Sequence, residues 1–315
     1  MARILVTGGA GFIGSEVIRQ LKVKQSEFKV RAMDLVRHPD DDIERFTGSI
    51  MDINDVSQAV QGCDYVMHMA AMLGVKRTEQ QRLSCLNVNI QGTINILDAC
   101  VKARVKKVVL MSSSEVYGDA RENPISEDTP LSPKSVYAVS KLAGEEYCRA
   151  YFDQYGLEFS VVRFFNSYGP GQVAEFVLPR FVSAVMDDKP PTVYGSGEQI
   201  RAFCYVGDSA RGAISVLLHE DAHRDVYQIG NDQEPISMRA LAEKVIRISG
   251  KDLSPRFVNM SDSDRSSGRE IQERVPDISK ARKLLGYEPK VSLDEGIRRM
   301  FSHGEVPKTW FDPMD

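Results

Sequence analysis

The first half of the sequence alternates short apolar runs with helix-length amphipathic stretches. Between the first two runs, Ile13, Val17, Ile18 and Leu21 are spaced as on one face of a helix. The apolar runs have the length of buried strands, and they lie at residues 4–6, 30–33, 65–69, 108–111 and 159–164. Strands that alternate with helices predict an α/β fold in which a doubly wound parallel sheet is covered by helices on both faces.

The pattern changes after residue 165. A loop-forming cluster, Asn-Ser-Tyr-Gly-Pro-Gly, occupies residues 166–171, and the segments that follow are shorter. Residues 201–231 again have a strand–helix–strand pattern that can rejoin the main sheet. We therefore expect two units: residues 1–165 plus about 201–231 for the larger, and 166–200 plus 232–315 for a smaller C-terminal α/β lobe. The polar stretch 261–269 predicts a loop within this lobe.

Composition excludes several classes of protein. The 315 residues carry 40 Lys and Arg against 44 Asp and Glu, a net charge of −4, which does not suit a nucleic-acid binder that works by bulk charge. The sequence has no run of 18 apolar residues, so we expect no membrane span. Because the first residues already resemble a strand, we also expect no secretory signal. Five cysteines without CxxC spacing and five histidines without an HExxH pattern predict a cytoplasmic protein with neither disulfides nor a metal site.

A glycine-rich turn follows the first apolar run. Gly8, Gly11 and Gly14 stand between that run and the first helical pattern. Glycine permits a tight turn and a close approach of the backbone to a pyrophosphate, which the N-terminus of the next helix attracts. Asp34 ends the second run, 20 residues after Gly14, where a carboxylate accepts ribose hydroxyls and repels a 2′-phosphate. This combination predicts a Rossmann-like site that binds NAD rather than NADP.

Two further segments carry candidate catalytic residues. Tyr137 and Lys141 lie four residues apart on an amphipathic helix, where an ammonium can lower the pKa of a phenol and make it a base. Ser112, Ser113 and Ser114 follow a buried strand, at the edge where doubly wound sheets bind ligands. Taken alone, the first pair is also typical of an ordinary helix face, and the serines of a helix cap.

Together these residues resemble the extended short-chain dehydrogenase/reductase superfamily, and within it the NAD-dependent nucleotide-sugar epimerases and dehydratases. The resemblance covers nearly the whole chain. The motifs that carry it are Thr7-Gly8-xx-Gly11-xx-Gly14, Asp34, His68-Met-Ala-Ala71, Asn89-xx-Gly92-Thr93, Ser112-Ser113, Tyr137-xxx-Lys141, Arg163-Phe-Phe-Asn166-Ser-Tyr-Gly-Pro170, Tyr194-Gly-Ser-Gly-Glu-Gln-Ile-Arg201, Tyr205-Val-Gly-Asp208, Ile229-Gly-Asn231 and Arg274-xx-Asp277.

The resemblance implies a role for each matching position. It makes Ser113, Tyr137, Lys141 and Glu115 the catalytic residues, with His68 as a packed residue rather than a base. The implied NAD contacts are Gly8, Gly11, Phe12, Ile13, Gly14, Asp34, Asp52, Ile53, Met69, Ala70, Ala71, Asn89, Ser112, Tyr137 and Lys141. The implied contacts to a nucleotide-diphosphate sugar, made in a substrate-binding C-terminal lobe, are Ser114, Asn166, Arg180, Tyr194, Arg201 and Arg274. For Asp52 the sequence leaves a second interpretation open, an N-cap of a helix.

The family chemistry begins with oxidation at C4 of the sugar, in which Tyr137 removes the O4 proton and NAD⁺ takes the C4 hydride. A 4-epimerase then needs no further acid or base. At Glu115 the chain resembles GDP-mannose 4,6-dehydratases and UDP-glucuronate decarboxylases, although Ser114 stands where dTDP-glucose 4,6-dehydratases have an aspartate. The other interpretation of Glu115 is a residue that bonds to the backbone or packs beside the site without proton transfer. We expect a 4-epimerase of an NDP-hexose or NDP-hexuronate, with the dehydratase and the decarboxylase as alternatives.

Two alternatives come from other classes: a non-catalytic NAD-binding regulatory protein, and an ordinary reductase that exchanges free cofactor. The complete set of Ser113, Tyr137 and Lys141 argues against a pure regulator. Apolar residues at helical spacing in residues 89–104 and 135–155 also fit the family's four-helix bundle across a two-fold axis. We therefore expect a homodimer, with no nucleic-acid or membrane partner.

Overall fold

The computed structural model describes residues 1–23, 27–259 and 271–307. The predicted loop 261–269 lies outside these residues. The strands are β1 (Ala2–Thr7), β2 (Phe28–Asp34), β3 (Glu44–Thr47), β4 (Tyr65–His68), β5 (Lys107–Ser113), β6 (Phe159–Phe164), β7 (Ser167–Tyr168), β8 (Thr192–Tyr194), β9 (Ile200–Arg201), β10 (Cys204–Tyr205), β11 (Val226–Ile229), β12 (Ile236–Ser237), β13 (Arg256–Val258) and β14 (Glu273–Arg274).

The helices cover the sheet and build the second lobe. They are α1 (Phe12–Lys22), α2 (Ile53–Val60), α3 (Val75–Gln80), α4 (Arg82–Ala103), α5 (Val136–Tyr155), α6 (Val177–Met186), α7 (Val206–Leu218), α8 (Met238–Ser249), α9 (Ser279–Leu285) and α10 (Leu293–His303), with a 3-10 helix at Ser114–Tyr117.

Among the described residues, seven strands form one parallel sheet in the order β11-β6-β5-β4-β1-β2-β3. The order reverses between β1 and β4, and in sheets of this kind ligands bind beyond the carboxyl ends of the strands at such a reversal. This Rossmann-like α/β architecture confirms the predicted fold class.

Apolar clusters fill both faces of the sheet, which is why its strands are almost continuously hydrophobic. On one face, side chains of α1 such as Val17 and Leu21 pack with Ala213 of α7 against Ile4 and Val6. The clusters on the other face come from α2, α4 and α5, with the strand residues pointing there. The helices are thereby fixed relative to the carboxyl edge of the sheet.

A separate apolar cluster holds the second lobe together. It is formed by α6, α8 and α10, with Phe181, Leu241 and Ile297 fully buried at its centre. Short strands pair beside it as β13-β8, β12-β9-β14 and β10-β7. Strand β11, from the predicted returning segment, pairs with β6 at the edge of the main sheet.

The described residues lack two features, a membrane-spanning helix and a metal-binding cluster. No helix within residues 1–23, 27–259 and 271–307 is long and apolar enough to cross a membrane. The same part of the chain has no group of three or more His, Cys, Asp or Glu side chains arranged to hold a metal ion. All five cysteines are buried free thiols.

Candidate active site

A cavity of about 890 Å³ lies at the carboxyl ends of β1, β2, β4, β5 and β6 and extends under the second lobe. Both halves of the sequence contribute to it, from the glycine turn after β1 to Arg274 in β14. This is the position in which a doubly wound sheet binds ligands.

The glycine turn brings the backbone close to the floor of the cavity. Gly8 has φ +68°, and a Cβ there would come within 2.8 Å of the backbone nitrogen of Ala70. A Cβ on Gly14 would collide with the carbonyl oxygen of Gly8. Helix α1 then begins at Phe12 without a side-chain cap, so its first N–H groups stay available for an anion. Gly8, Gly11, Phe12, Ile13 and Gly14 all line the cavity, as a pyrophosphate cradle requires.

Asp34 is held at the end of β2 with its carboxylate at the cavity. Its oxygens accept hydrogen bonds from the backbone N–H of Ala10 at 3.0 Å and of Leu35 at 2.7 Å. Burial raises its pKa, although these N–H donors oppose the shift. Arg37, which could have favoured a 2′-phosphate, is largely exposed, pairs with Asp41 and does not line the cavity. The Asp34 carboxylate is therefore a suitable hydrogen-bond acceptor for the ribose hydroxyls of NAD.

The structure does not bring Asp52 and Ile53 to the cavity. The carboxylate of Asp52 accepts from the backbone N–H of Asn54 at 2.8 Å and caps α2, so the N-cap interpretation holds. Neither Asp52 nor Ile53 lines the cavity, where Ile50 and Met51 stand instead. The capping geometry turns the Asp52 carboxylate toward its own helix, and the implied cofactor contact at these two positions stays a prediction.

Tyr137, Ser113 and Lys141 meet at the carboxyl end of β5. Helix α5 starts beside this strand because the Ser135 side chain caps it, accepting from the Ala138 N–H at 2.9 Å. The Ser113 side chain lies close enough to the phenol of Tyr137 to lower its pKa. The Lys141 ammonium donates to the carbonyl oxygen of Met111 at 2.8 Å and lies 5.7 Å from the centre of the Tyr137 ring. The three predicted catalytic groups are therefore close together.

The electrostatics differ from the sequence expectation in one respect. Burial raises the pKa of Tyr137, and the charge of Glu115 raises it further; the hydrogen bond from Ser113 and the charge of Arg274 act in the opposite direction. Burial also lowers the pKa of Lys141 to about 8. The phenol's pKa is thus raised and not lowered as expected, because desolvation outweighs the opposing contacts.

Glu115 also faces the cavity, from the first turn of the 3-10 helix. Its backbone N–H donates to the Ser113 side chain at 3.2 Å, and its carboxylate accepts from the Ser135 hydroxyl at 3.1 Å. Ser114 lines the cavity as well but is almost fully buried. One carboxylate therefore stands beside the Ser113–Tyr137 pair, without a second acid at position 114.

Ser112 lines the cavity, whereas Asn89 lies behind its wall. The Ser112 hydroxyl donates to the buried carboxylate of Glu145 at 2.5 Å. Asn89 does not line the cavity; its side chain accepts from the Met72 N–H at 2.7 Å and donates to the Ser140 hydroxyl at 2.9 Å. In the structure both residues support the wall through hydrogen bonds. Met69, Ala70 and Ala71 line the cavity as expected.

His68 joins the cofactor side of the site to α4 through hydrogen bonds. The Thr7 hydroxyl accepts two backbone N–H groups that follow β4, so its own proton goes to Nδ1 of His68 at 2.8 Å. Nε2 then carries the proton and donates to Thr93 at 3.1 Å, whose hydroxyl donates to the carbonyl of Asn89. Burial lowers the pKa of His68 to about 3, so the imidazole is neutral. No sequence pattern predicts this hydrogen-bond chain beyond the polar residues themselves.

The second lobe supplies the predicted substrate contacts. Asn166 has φ +35°, and its side-chain oxygen accepts from the Arg274 guanidinium at 3.1 Å. Arg201 is nearly buried and donates to the carbonyl of Ile271 at 2.6 Å. The Arg180 guanidinium stacks over the Tyr194 ring at 5.1 Å. All five predicted residues, with Ser114, line the cavity.

The cavity is positively charged although the chain is acidic. The charged residues that line it are the cations Lys76, Arg77, Lys134, Lys141, Arg180, Arg201 and Arg274 and the anions Asp34, Glu115 and Glu175. Seven cations against three anions give the described lining a formal charge of +4, whereas the whole chain has −4. A site of this kind attracts a polyanion such as a nucleotide with two phosphates.

Comparison with known proteins gives the family. The sequence model described as the NAD dependent epimerase/dehydratase family matches residues 4–230. The chain is 33% identical over 313 residues to a UDP-N-acetyl-alpha-D-glucosaminuronate decarboxylase of Bacillus cytotoxicus, covering 94% of this chain and 95% of the relative.

Solved structures agree with the sequence match. A UDP-glucuronic acid 4-epimerase from Bacillus cereus, in complex with UDP-glucuronic acid and NAD, superposes with TM-score 0.87 at 31% identity over 96% of this chain and 98% of that one. A dTDP-glucose 4,6-dehydratase from Streptomyces venezuelae with NAD bound also reaches TM-score 0.87 at 31% identity, covering 96% of each chain. The glycine turn, Asp34 and the Tyr137–Lys141 pair fit this similarity, and the chain belongs to the NAD dependent epimerase/dehydratase family.

Proposed function

We propose that the protein is an NAD-dependent nucleotide-sugar 4-epimerase acting on an NDP-hexose or NDP-hexuronate. The observation that carries the proposal is that Tyr137, Ser113 and Lys141, anchored on the Met111 carbonyl, line the same cavity as the glycine turn. Bound NAD⁺ supplies the hydride acceptor. In its phenolate form Tyr137 takes the proton of the sugar's C4 hydroxyl, and the Ser113 hydroxyl holds that oxygen in place.

The ammonium of Lys141 lies 5.7 Å from the centre of the Tyr137 ring. Its hydrogen bond to the Met111 carbonyl, 2.8 Å long, fixes it below the phenol ring. A phenol whose pKa burial has raised needs such a charge, together with the cationic nicotinamide, to become a base. We propose that Lys141 acts through Tyr137 in this way and not as a proton donor to the sugar.

The second lobe binds the rest of the substrate in this proposal. Arg201 and Arg274 hold the diphosphate, since guanidinium groups match phosphate oxygens. Asn166 sits beside Arg274, and Arg180 with Tyr194 borders the nucleotide end. The surplus positive charge of the lining supports a ligand that carries at least two negative charges.

An epimerase is favoured over a dehydratase because, in the described part of the chain, Glu115 is the carboxylate beside the Ser113–Tyr137 pair and position 114 holds a serine. Loss of the C6 hydroxyl requires a base for the C5 proton and an acid for the leaving group, and Ser114 supplies no carboxyl group. Rotation of a 4-keto sugar and return of the hydride require neither. Glu115, bonded to Ser135, then orders the site without transferring a proton.

The second candidate is decarboxylation of an NDP-hexuronate. Glu115 faces the cavity near Tyr137, and Arg274 is close enough for its charge to lower the phenol's pKa. A carboxylate at C6 would then have a cation nearby, and oxidation at C4 permits loss of CO₂. The 33% identity to a relative named as a decarboxylase supports keeping this reaction open.

A panel of nucleotide sugars tests both candidates. The purified enzyme, without added NAD, is incubated with UDP-, GDP-, dTDP- and CDP-hexoses and hexuronates, and the products are separated and weighed by mass spectrometry. An isomer of unchanged mass identifies an epimerase, loss of CO₂ a decarboxylase and loss of water a dehydratase. No turnover on the whole panel by enzyme that holds NAD contradicts the proposal, and stoichiometric NAD(P)H consumption identifies a reductase.

We also propose a homodimer in the cytoplasm, built on α4 and α5. Leu83 on α4 is 76% exposed and Val139 on α5 is 44% exposed, and the two helices pack side by side. Buried free cysteines suit a reducing compartment. Sedimentation at increasing protein concentration tests the dimer.

We also propose that the chain divides into two units, residues 1–165 plus about 201–231 and residues 166–200 plus 232–315.

A further inference from the structure

The stretch between Glu115 and the catalytic helix joins three parts of the site. We call residues 119–134 the bridging loop; it follows the 3-10 helix and ends at the Ser135 cap of α5. Ile125 in this loop is fully buried against Val116, Tyr117 and Phe165. The loop is therefore anchored beneath the turn that carries Glu115.

The bridging loop also pairs with the chain that carries Arg274. The Ile125 N–H donates to the carbonyl of Val275 at 2.8 Å, and the Asp277 N–H donates to the carbonyl of Ile125 at 2.7 Å. These bonds form a parallel bridge between Ile125 and Pro276. The loop thus acts as a short neighbouring strand just beyond β14.

Asn123 continues this pairing at the level of Arg274 itself. Its side-chain oxygen accepts from the Val275 N–H at 3.1 Å, and its side-chain nitrogen donates to the Glu273 carbonyl at 3.5 Å. These two backbone groups lie on either side of Arg274 along the strand. One carboxamide therefore bonds to both neighbours of the arginine.

The bonds from Asn123 fall on the edge of β14 that β9 does not use. Arg274 is in register with Arg201 of β9, and the Ile200 N–H donates to the carbonyl of Gln272 on that side. Successive backbone groups of a strand point to opposite edges. The carboxamide of Asn123 thus fills the place of a strand on the opposite edge, where a two-residue strand would otherwise have no partner at this position.

We propose that Asn123 is a positioning residue that fixes the backbone of Arg274 and thereby the guanidinium that holds the substrate diphosphate. The proposal rests on the proposed function in one respect, namely that Arg274 meets this diphosphate. A guanidinium binds phosphate oxygens well only in a narrow range of orientations, so a shift of a short strand weakens binding. The 3.1 Å bond from Arg274 to Asn166 shows the orientation that Asn123 maintains.

Binding of nucleoside diphosphates tests this role without any turnover. The Kd values of UDP, dTDP, GDP and CDP are measured by calorimetry on the NAD-containing enzyme, and the tightest of the four becomes the probe. Asn123→Ala should raise its Kd roughly 3- to 10-fold, the loss expected for one or two hydrogen bonds. NAD content and the thermal midpoint should stay close to those of the wild type.

A double-mutant cycle separates positioning from a general structural effect. In the Arg274→Ala background, Asn123→Ala should change the Kd of the probe no further, because the residue through which it acts is gone. Glu122→Ala, on the exposed neighbouring position of the same loop, is the matched control and should bind the probe like the wild type. An equal loss from Asn123→Ala in both backgrounds overturns the proposal, as does wild-type affinity in the single variant.

A second variant covers the case in which Asn123→Ala lowers stability or NAD content. Asn123→Asp keeps the oxygen that accepts from Val275, so its Kd should lie between those of the wild type and Asn123→Ala; a Kd no better than that of Asn123→Ala overturns the proposal. If none of the four diphosphates binds the wild type, Arg274 does not hold a diphosphate and the proposal fails with it. If the double-mutant cycle gives the expected Kd values but the enzyme converts no nucleotide sugar of the panel, only the proposed reaction is contradicted.

Discussion

At the scale of single residues, the site depends on a phenol whose environment opposes its ionisation. Burial and the charge of Glu115 raise the pKa of Tyr137, and the hydrogen bond to Ser113 only partly compensates. The Tyr-xxx-Lys spacing correctly predicted which groups meet, because residues four apart share one helix face. It did not predict the balance of electrostatic effects, because desolvation depends on what the second lobe places over the site.

Removal of the phenol or of its ammonium neighbour should stop the reaction. Tyr137→Phe leaves no base at the C4 hydroxyl, and Lys141→Met removes the charge anchored on the Met111 carbonyl. We expect each variant to lose at least about 100-fold in kcat while it retains NAD, measured by product formation and by cofactor content after denaturation. A wild-type rate in either variant would contradict the assignment.

Glu115 distinguishes the candidate reactions. Glu115→Gln keeps the size of the side chain and an oxygen that accepts from Ser135, but removes the proton-transfer capacity. An epimerase should lose no more than about 10-fold in kcat, whereas a dehydratase that uses Glu115 as its base should lose about 100-fold or more. Product analysis of the variant on its best substrate gives the answer, and a large loss with an isomeric product would show that Glu115 takes part in epimerisation.

His68 makes stability depend on pH. Its pKa is about 3 in the folded chain against an ordinary value of 6.5, so between these values the unfolded chain binds more protons than the folded one. The free energy of unfolding should therefore fall as pH falls below 6.5, by at most about 1.4 kcal/mol per pH unit from this residue.

A substitution isolates that contribution. His68→Gln removes the proton difference, so urea unfolding at a series of pH values should show a shallower decline below pH 6.5 than in the wild type. His303→Gln, at an exposed position at the end of α10, is the control and should retain the wild-type slope. Equal slopes for wild type and His68→Gln would show that His68 does not titrate with folding.

At the scale of elements, the catalytic helix is fixed to the sheet by a buried ion pair. The Glu145 carboxylate, one turn after Lys141 on α5, accepts two hydrogen bonds from Arg163 of β6, the shorter at 2.5 Å. Ser112 of β5 donates to the same carboxylate, and Arg163 donates to the Tyr117 hydroxyl at 2.7 Å. This network sets α5 against the strands whose ends carry the site.

Breaking the pair should destabilise the protein far more than breaking an exposed one. Glu145→Gln leaves the Arg163 guanidinium buried without a countercharge, and we expect a loss of about 3–5 kcal/mol in the free energy of unfolding. The neighbouring Glu146, exposed and paired with Arg149, provides the control: Glu146→Gln should change stability by less than about 0.5 kcal/mol. Urea unfolding of the two variants compares them directly, and similar losses would contradict the role of the buried pair.

Some elements could be predicted from the sequence and others could not. The buried strands and the glycine turn follow from local patterns, since apolar runs and glycine spacing reflect nearest neighbours. The role of Asp52 depends on whether its carboxylate faces the ligand or its own helix. The hydrogen bond by which it caps that helix is visible only in the three-dimensional structure. The role of Asn123 was equally hidden, because its partners on both sides of Arg274 lie about 150 residues away.

At the scale of the whole molecule, the main sheet and the second lobe provide different parts of one cavity. The sheet contributes the glycine turn, Asp34 and the proton-transfer residues, and the lobe contributes the cations that suit a diphosphate. The alternation of strands and helices was sufficient to predict the sheet. The contacts of the lobe came only from a family resemblance, because its short strands leave little periodicity in the sequence.

The fate of the hydrogen at C4 tests the central claim most directly. A nucleotide sugar from the panel, deuterated at C4, is converted in ordinary water without added NAD, and the product is examined by NMR. Transient transfer to enzyme-bound NAD predicts that the deuterium remains at C4, on the opposite face of the ring if the enzyme is a 4-epimerase. Loss of the label to solvent, or conversion at the same rate by enzyme stripped of NAD, would contradict the account.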